Sequence, residues 1–115
     1  MRRALSLWLP VALWAALIFG LSSIPNLGTG LGGWDLLLRK LAHMAEYAVL
    51  GFLLLRAIGR ERIAVAVGIA YAVTDEIHQG FVEGRHGVWY DVVVDAVGVL
   101  LGVYLLGRLA RRMLA

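Results

Sequence analysis

Ala4 to Leu21 is a run of eighteen residues without a charge. A helix of that length rises by ~1.5 Å per residue to about 27 Å, close to the ~30 Å hydrocarbon core of a bilayer. Arg2 and Arg3 precede it. A cleaved signal peptide shares the basic start, but its apolar stretch is shorter, and further segments of this kind follow. The run therefore reads as a retained membrane helix. Pro10 is expected to bend it mildly. Trp8 and Trp14 fit interfacial anchoring and packing equally well.

Three more apolar segments follow. The second spans about Trp34 to Ala57, the third starts at Ile63, and the fourth spans about Trp89 to Leu106. Ser22-Ser23-Ile24-Pro25 ends the first. Asn26 to Gly33 is a glycine-rich loop, a connector or a lid over a site, and Glu83 to Gly87 reads as a turn. Of the 115 residues 61% are hydrophobic and 17% charged, with a mean hydropathy of +0.79. Soluble domains lie near ~45–50% apolar and ~25% charged, so the excess apolar surface must face lipid or a large partner, and lipid is the reading taken. The sequence predicts an all-α polytopic membrane protein, one domain over 1–115 built as a bundle of four transmembrane helices. A net charge of +3 and a pI near 9.8 do not point to nucleic acid, because the cations sit at the ends of apolar segments. Cysteine is absent, which excludes disulfides and thiolate metal sites.

The placement of the cations orients the bundle. Arg2, Arg3, Arg56, Arg60, Arg62, Arg108, Arg111 and Arg112 fall at one end of the segments; only Arg39, Lys40 and Arg85 fall at the other. Positively charged loops stay in the cytoplasm, so both termini are expected there. Of the acidic residues only Glu61 shares that side.

The opposite, outer end gathers the polar chemistry. On the second segment Arg39, His43, Glu46 and Tyr47 follow one another at i, i+4, i+7 and i+8, which is one helical face. Asp75 lies about 18 Å along the third helix from Ile63, past its midpoint, and His78 and Gln79 share its face. Asp91 and Asp95 continue into a stripe with Gly98 and Gly102, a small-xxx-small pair that lets another helix approach and would suit a homo-oligomer. Ionisable groups inside a bilayer cost several kcal/mol and need partners, water or a function. A lone His or Tyr in a membrane helix more often makes an interhelical hydrogen bond than a ligand contact, and Arg39 and Lys40 can snorkel to headgroups. Carboxylates have no such long stem. A shared outer cavity containing His43, Glu46, Asp75, Glu76, His78, Arg85, Asp91 and Asp95 is therefore favoured over scattered pairs.

The stretches SSIP at 22–25, RKLAHMAEY at 39–47, TDEIHQGFVEGR at 74–85 and DVVVDAVG at 91–98 resemble the VanZ-like family of small bacterial membrane proteins. With the hydropathy pattern the resemblance covers nearly the whole chain. It implies membership of a family named for a protein linked to teicoplanin resistance, and leaves the biochemical activity open.

Three readings of the outer residues remain. In the first, Arg39, Lys40, Gln79 and Arg85 bind an anionic envelope lipid, a lipid-linked cell-wall intermediate or a glycopeptide-related ligand. In the second, Asp75, Glu76, Asp91 and Asp95 hold a divalent metal, with His43 or His78 as ligand or general base, and the protein is an enzyme acting on lipid phosphates. In the third it is a structural subunit or a proton or ion relay. Binding stands slightly ahead of catalysis.

Overall fold

The computed structural model describes residues 2–22, 33–79 and 89–114, with side chains at 2–21, 37–78 and 92–113. Every described element is helical. Helix α1 is Arg2–Ser22, α2 is Gly33–Ile58 and α3 is Glu61–Gln79. Helix α4, Trp89–Leu100, runs on through a π-helical stretch, Leu101–Leu106, into α5, Gly107–Leu114. The fourth apolar segment thus continues eight residues beyond its expected end, with Arg108, Arg111 and Arg112 on the helix. The expected loop before Gly33 and the turn at 83–87 lie outside the described residues.

Three of these helical runs are long and apolar enough to cross a membrane: Arg2–Leu21, Leu37–Ile58 and Val92–Met113. Helix α3 has 19 residues and carries Glu61 and Arg62 at one end, Asp75 and Glu76 at the other. The bundle's outer surface agrees with its composition. Leu13 is 63% exposed and Ile77 59%, and Leu41 and Leu105 also point outward. In water each such side chain would forfeit about 1.5–3 kcal/mol of burial; in lipid it forfeits nothing.

Residue pairs fix the direction of each helix. Trp14 lies at Glu46, Ala15 at Tyr71 and Phe19 at His78, while Met44 lies at Gly98 and Leu55 at Gly107. Helices α1 and α3 therefore run toward the end that holds His78, and α2 and α4–α5 run away from it. Arg2 and Leu114 share the opposite end. Gly59, with φ +80°, closes α2 by donating its N–H to the Leu55 carbonyl at 2.7 Å. A left-handed residue there costs glycine little, and α3 begins two residues on.

Helix α2 is central and packs on α1, α3 and the last helical run. Its closest partner is α4, because small residues meet backbone. A Cβ on Gly98 would strike the Met44 carbonyl, one on Gly102 the Ala48 carbonyl, and one on Gly51 the Val99 carbonyl at 2.6 Å. The helix that the Gly98–Gly102 stripe admits is thus α2 of the same chain, and both glycines are buried against it. On α3, Ala64, Gly68 and Ala72 are buried at four-residue steps, with Val99 seated on Gly68. In lipid, where apolar burial gives no net drive between helices, such close contacts and buried hydrogen bonds hold a bundle together.

Candidate functional site: a buried His–Asp–Asp group

The small-residue faces of α3 and α4 each continue into an aspartate. Asp75 follows Ala72 by three residues, and Asp95 precedes Gly98 by three. The rotation that seats the glycines and alanines against α2 also turns both carboxylates inward, and each is only 2% exposed. Helix α2 brings His43 and Tyr47 to meet them. One ligand atom each from His43, Asp75 and Asp95 lies within 4.8 Å of the other two. His43 Nδ1 is 3.9 Å from Asp95 Oδ1 and 3.7 Å from Glu46 Oε2. Tyr47, fully buried, donates its hydroxyl to Asp75 Oδ2 at 2.9 Å.

Further contacts tie this group to α1. Tyr71, one turn before Asp75, lies 6.1 Å from the Tyr47 ring and donates its hydroxyl to the Ala15 carbonyl of α1. Trp14 Nε1 donates to the Glu46 carbonyl at 2.8 Å, so Trp14 is a packing residue, while Trp8 is exposed. Tyr47 stands on the face that the sequence already gives to His43 and Glu46, whereas Tyr71 does not stand out among the ionisable side chains; its signal was the four-residue spacing from Asp75.

The three converging residues do not include the other described candidates. His78 turns toward α1, where its ring stacks on Phe19 with centroids 4.0 Å apart. Glu76 is half-buried one residue along from Asp75, on a different face of α3. Arg39 and Lys40, also half-buried, stand one helical turn before His43. Arg85 and the side chains of Gln79 and Asp91 lie outside the described residues.

The arrangement offers an imidazole and two carboxylates from three helices, with a phenol bonded to one carboxylate. A gap of 3.9 Å is too long for a hydrogen bond, whereas two ligands each ~2.1 Å from one ion stand roughly 3.0–4.2 Å apart. The donor set suits a manganese- or zinc-type cation, and it equally suits a proton shared along the network.

Comparison with known proteins gives the group its setting. The "Uncharacterized membrane protein YwnJ" of Bacillus subtilis (strain 168) is 37% identical over 73 residues, which is 62% of this chain and 51% of that protein. The chain thus spans about half the length of this curated relative. No solved structure gives a significant match. The VanZ/LLP1 family profile matches residues 6–110, from the first turns of α1 into α5. This membrane protein belongs to the VanZ/LLP1 family.

Proposed function

We propose that this protein crosses the bacterial plasma membrane four times with both termini in the cytoplasm, and that its outer end binds the phosphate-bearing headgroup of an envelope lipid or lipid-linked cell-wall intermediate around a divalent cation. The observation that carries this reading is the convergence of His43, Asp75 and Asp95 within 4.8 Å. Helix α3 crosses with the other three because its inner carboxylate, Asp75, faces the bundle rather than lipid. Two carboxylates and an imidazole from three helices offer a divalent cation three ligands in a buried place. A held cation with open coordination then accepts phosphate oxygens as further ligands. Arg39 and Lys40, and Arg85 in the sequence between α3 and α4, add a planar fork and point charges for the remaining oxygens. A cell-wall precursor as ligand would connect the site to the teicoplanin resistance for which the family is named.

The test is a Mn²⁺ titration of the purified protein in detergent, read by electron paramagnetic resonance. One bound ion per chain is expected, lost in Asp75→Asn and Asp95→Asn while helical content and elution volume are unchanged. Binding of a polyprenyl phosphate should then weaken on adding chelator. Equal Mn²⁺ binding by wild type and both variants would sink the cation site.

A second reading, a proton relay, draws support from the Tyr47–Asp75 hydrogen bond. In that case chelator changes nothing, and Tyr47→Phe impairs function as much as Asp75→Asn.

A further inference from the structure

The opposite end of the bundle holds a groove that the His–Asp–Asp group does not use. It lies between the last turns of α2 and the start of α5 and has a volume of about 720 Å³, within the ~300–1,000 Å³ typical of ligand sites. Phe52, Leu53, Leu55, Gly107 and Ala110 give it apolar walls; Arg56 and Arg111 supply its charge, and among the described residues no acidic one lines it. We infer that this groove is a binding site for an anionic phospholipid, with acyl chain on the apolar walls and headgroup phosphate between Arg56 and Arg111.

Two observations single it out from the general arginine-rich end. The first is the π-helical stretch, in which Gly107 donates its N–H to the Gly102 carbonyl five residues back. One extra residue in the turn rotates everything after it by ~100°, enough to choose which face of α5 meets α2. It sets Gly107 on Leu55, where a Cβ would come within 2.6 Å of Leu55 Cδ2, and carries Ala110 and Arg111 to the groove. The second is the partition of the arginines. Arg108 lies over the Tyr104 ring, 5.7 Å from its centroid, and is not in the lining. Arg56 and Arg111 sit where apolar wall meets charge, which matches an amphiphile with a phosphate head and an aliphatic tail. A zwitterionic lipid carries its own cation and gains less from such a pair.

Native mass spectrometry of the full chain, released from nanodiscs containing equal phosphatidylglycerol and phosphatidylcholine, tests this. Wild type should retain phosphatidylglycerol at least fivefold over phosphatidylcholine. Arg56→Gln with Arg111→Gln should abolish that preference, Ala110→Phe should reduce retained lipid by occupying the groove, and Arg3→Gln with Arg62→Gln should leave it unchanged. All four arginines are exposed, so these variants should fold, as elution volume checks. Phosphatidylglycerol preference that survives in Arg56→Gln/Arg111→Gln, or that falls equally in Arg3→Gln/Arg62→Gln, overturns the site in favour of a diffuse charge effect. A dimer in place of the lipid adduct, lost in Ala110→Phe, overturns it in favour of a second copy.

Discussion

Tyr47 gives its single donor to Asp75 where both side chains are buried, so the bond's loss is felt on both sides. Tyr47→Phe keeps the ring and leaves a buried carboxylate short of a donor. It should lower stability by roughly 1–2 kcal/mol, measured as unfolding of the detergent-solubilised protein. Tyr71→Phe removes a donor from Ala15 O, a carbonyl inside a helix that keeps its own backbone partner, and should cost only about 0.5 kcal/mol. Equal losses would show that Asp75 does not depend on Tyr47. The spacing of Arg39, His43, Glu46 and Tyr47 made their common face legible in the sequence, and the cost of burying Asp75 marked it out. The choice between the two histidines was not legible. His43 and His78 stand equally well in helical periodicity, yet one meets Asp95 and the other stacks on Phe19. Periodicity defines a helix's faces, whereas the rotation of that helix against three neighbours comes only from their packing.

That rotation is set between elements, chiefly by glycine. Gly98→Ala and Gly102→Ala each drive a methyl into a backbone carbonyl of α2, which cannot move aside without separating the helices. Each should cost about 1–3 kcal/mol, and each should disturb the site, since Asp95 lies one turn before Gly98. Gly107→Ala presses on the flexible end of Leu55, with the Gly102 carbonyl at an ordinary 3.9 Å, and should cost less. Gly20→Ala meets nothing within 4 Å and should be neutral or gain up to ~1 kcal/mol of helix propensity. Thermal unfolding of these four variants gives the ranking; a Gly102→Ala protein as stable as Gly20→Ala would refute the close α2–α4 contact. The sequence displayed the Gly98–Gly102 pair plainly, but such a pair does not say whether its partner is another copy or, as here, α2. The five-residue step from Gly102 to Gly107 was also in view. An α-helical reading gives it no meaning, because the wide turn becomes favourable only when Gly107 has Leu55 to rest on.

At the scale of the whole molecule, the up-and-down order of helices joins the two ends into one prediction. Eight of the eleven Lys and Arg residues lie at the end shared by Arg2, the α2–α3 turn and α5. A cation held at the bilayer centre costs about 2.5–3.5 kcal/mol by insertion scales, and translocating a cluster of them is opposed repeatedly. That end should therefore stay in the cytoplasm, which puts the His43–Asp75–Asp95 group toward the outer leaflet. Because the chain contains no cysteine, single substitutions report without background. Thr29→Cys, between α1 and α2, should react with a membrane-impermeant maleimide in intact cells, while Glu61→Cys, at the start of α3, should react only after the membrane is opened. The reverse pattern would invert the protein and place the His–Asp–Asp group at the inner leaflet, removing the case for an outer envelope ligand. Labelling of both from outside would mean that α2 does not cross. That outcome conflicts with Met44 at Gly98 and Leu55 at Gly107, pairs that carry α2 and α4–α5 side by side from the polar end to the arginine-rich one.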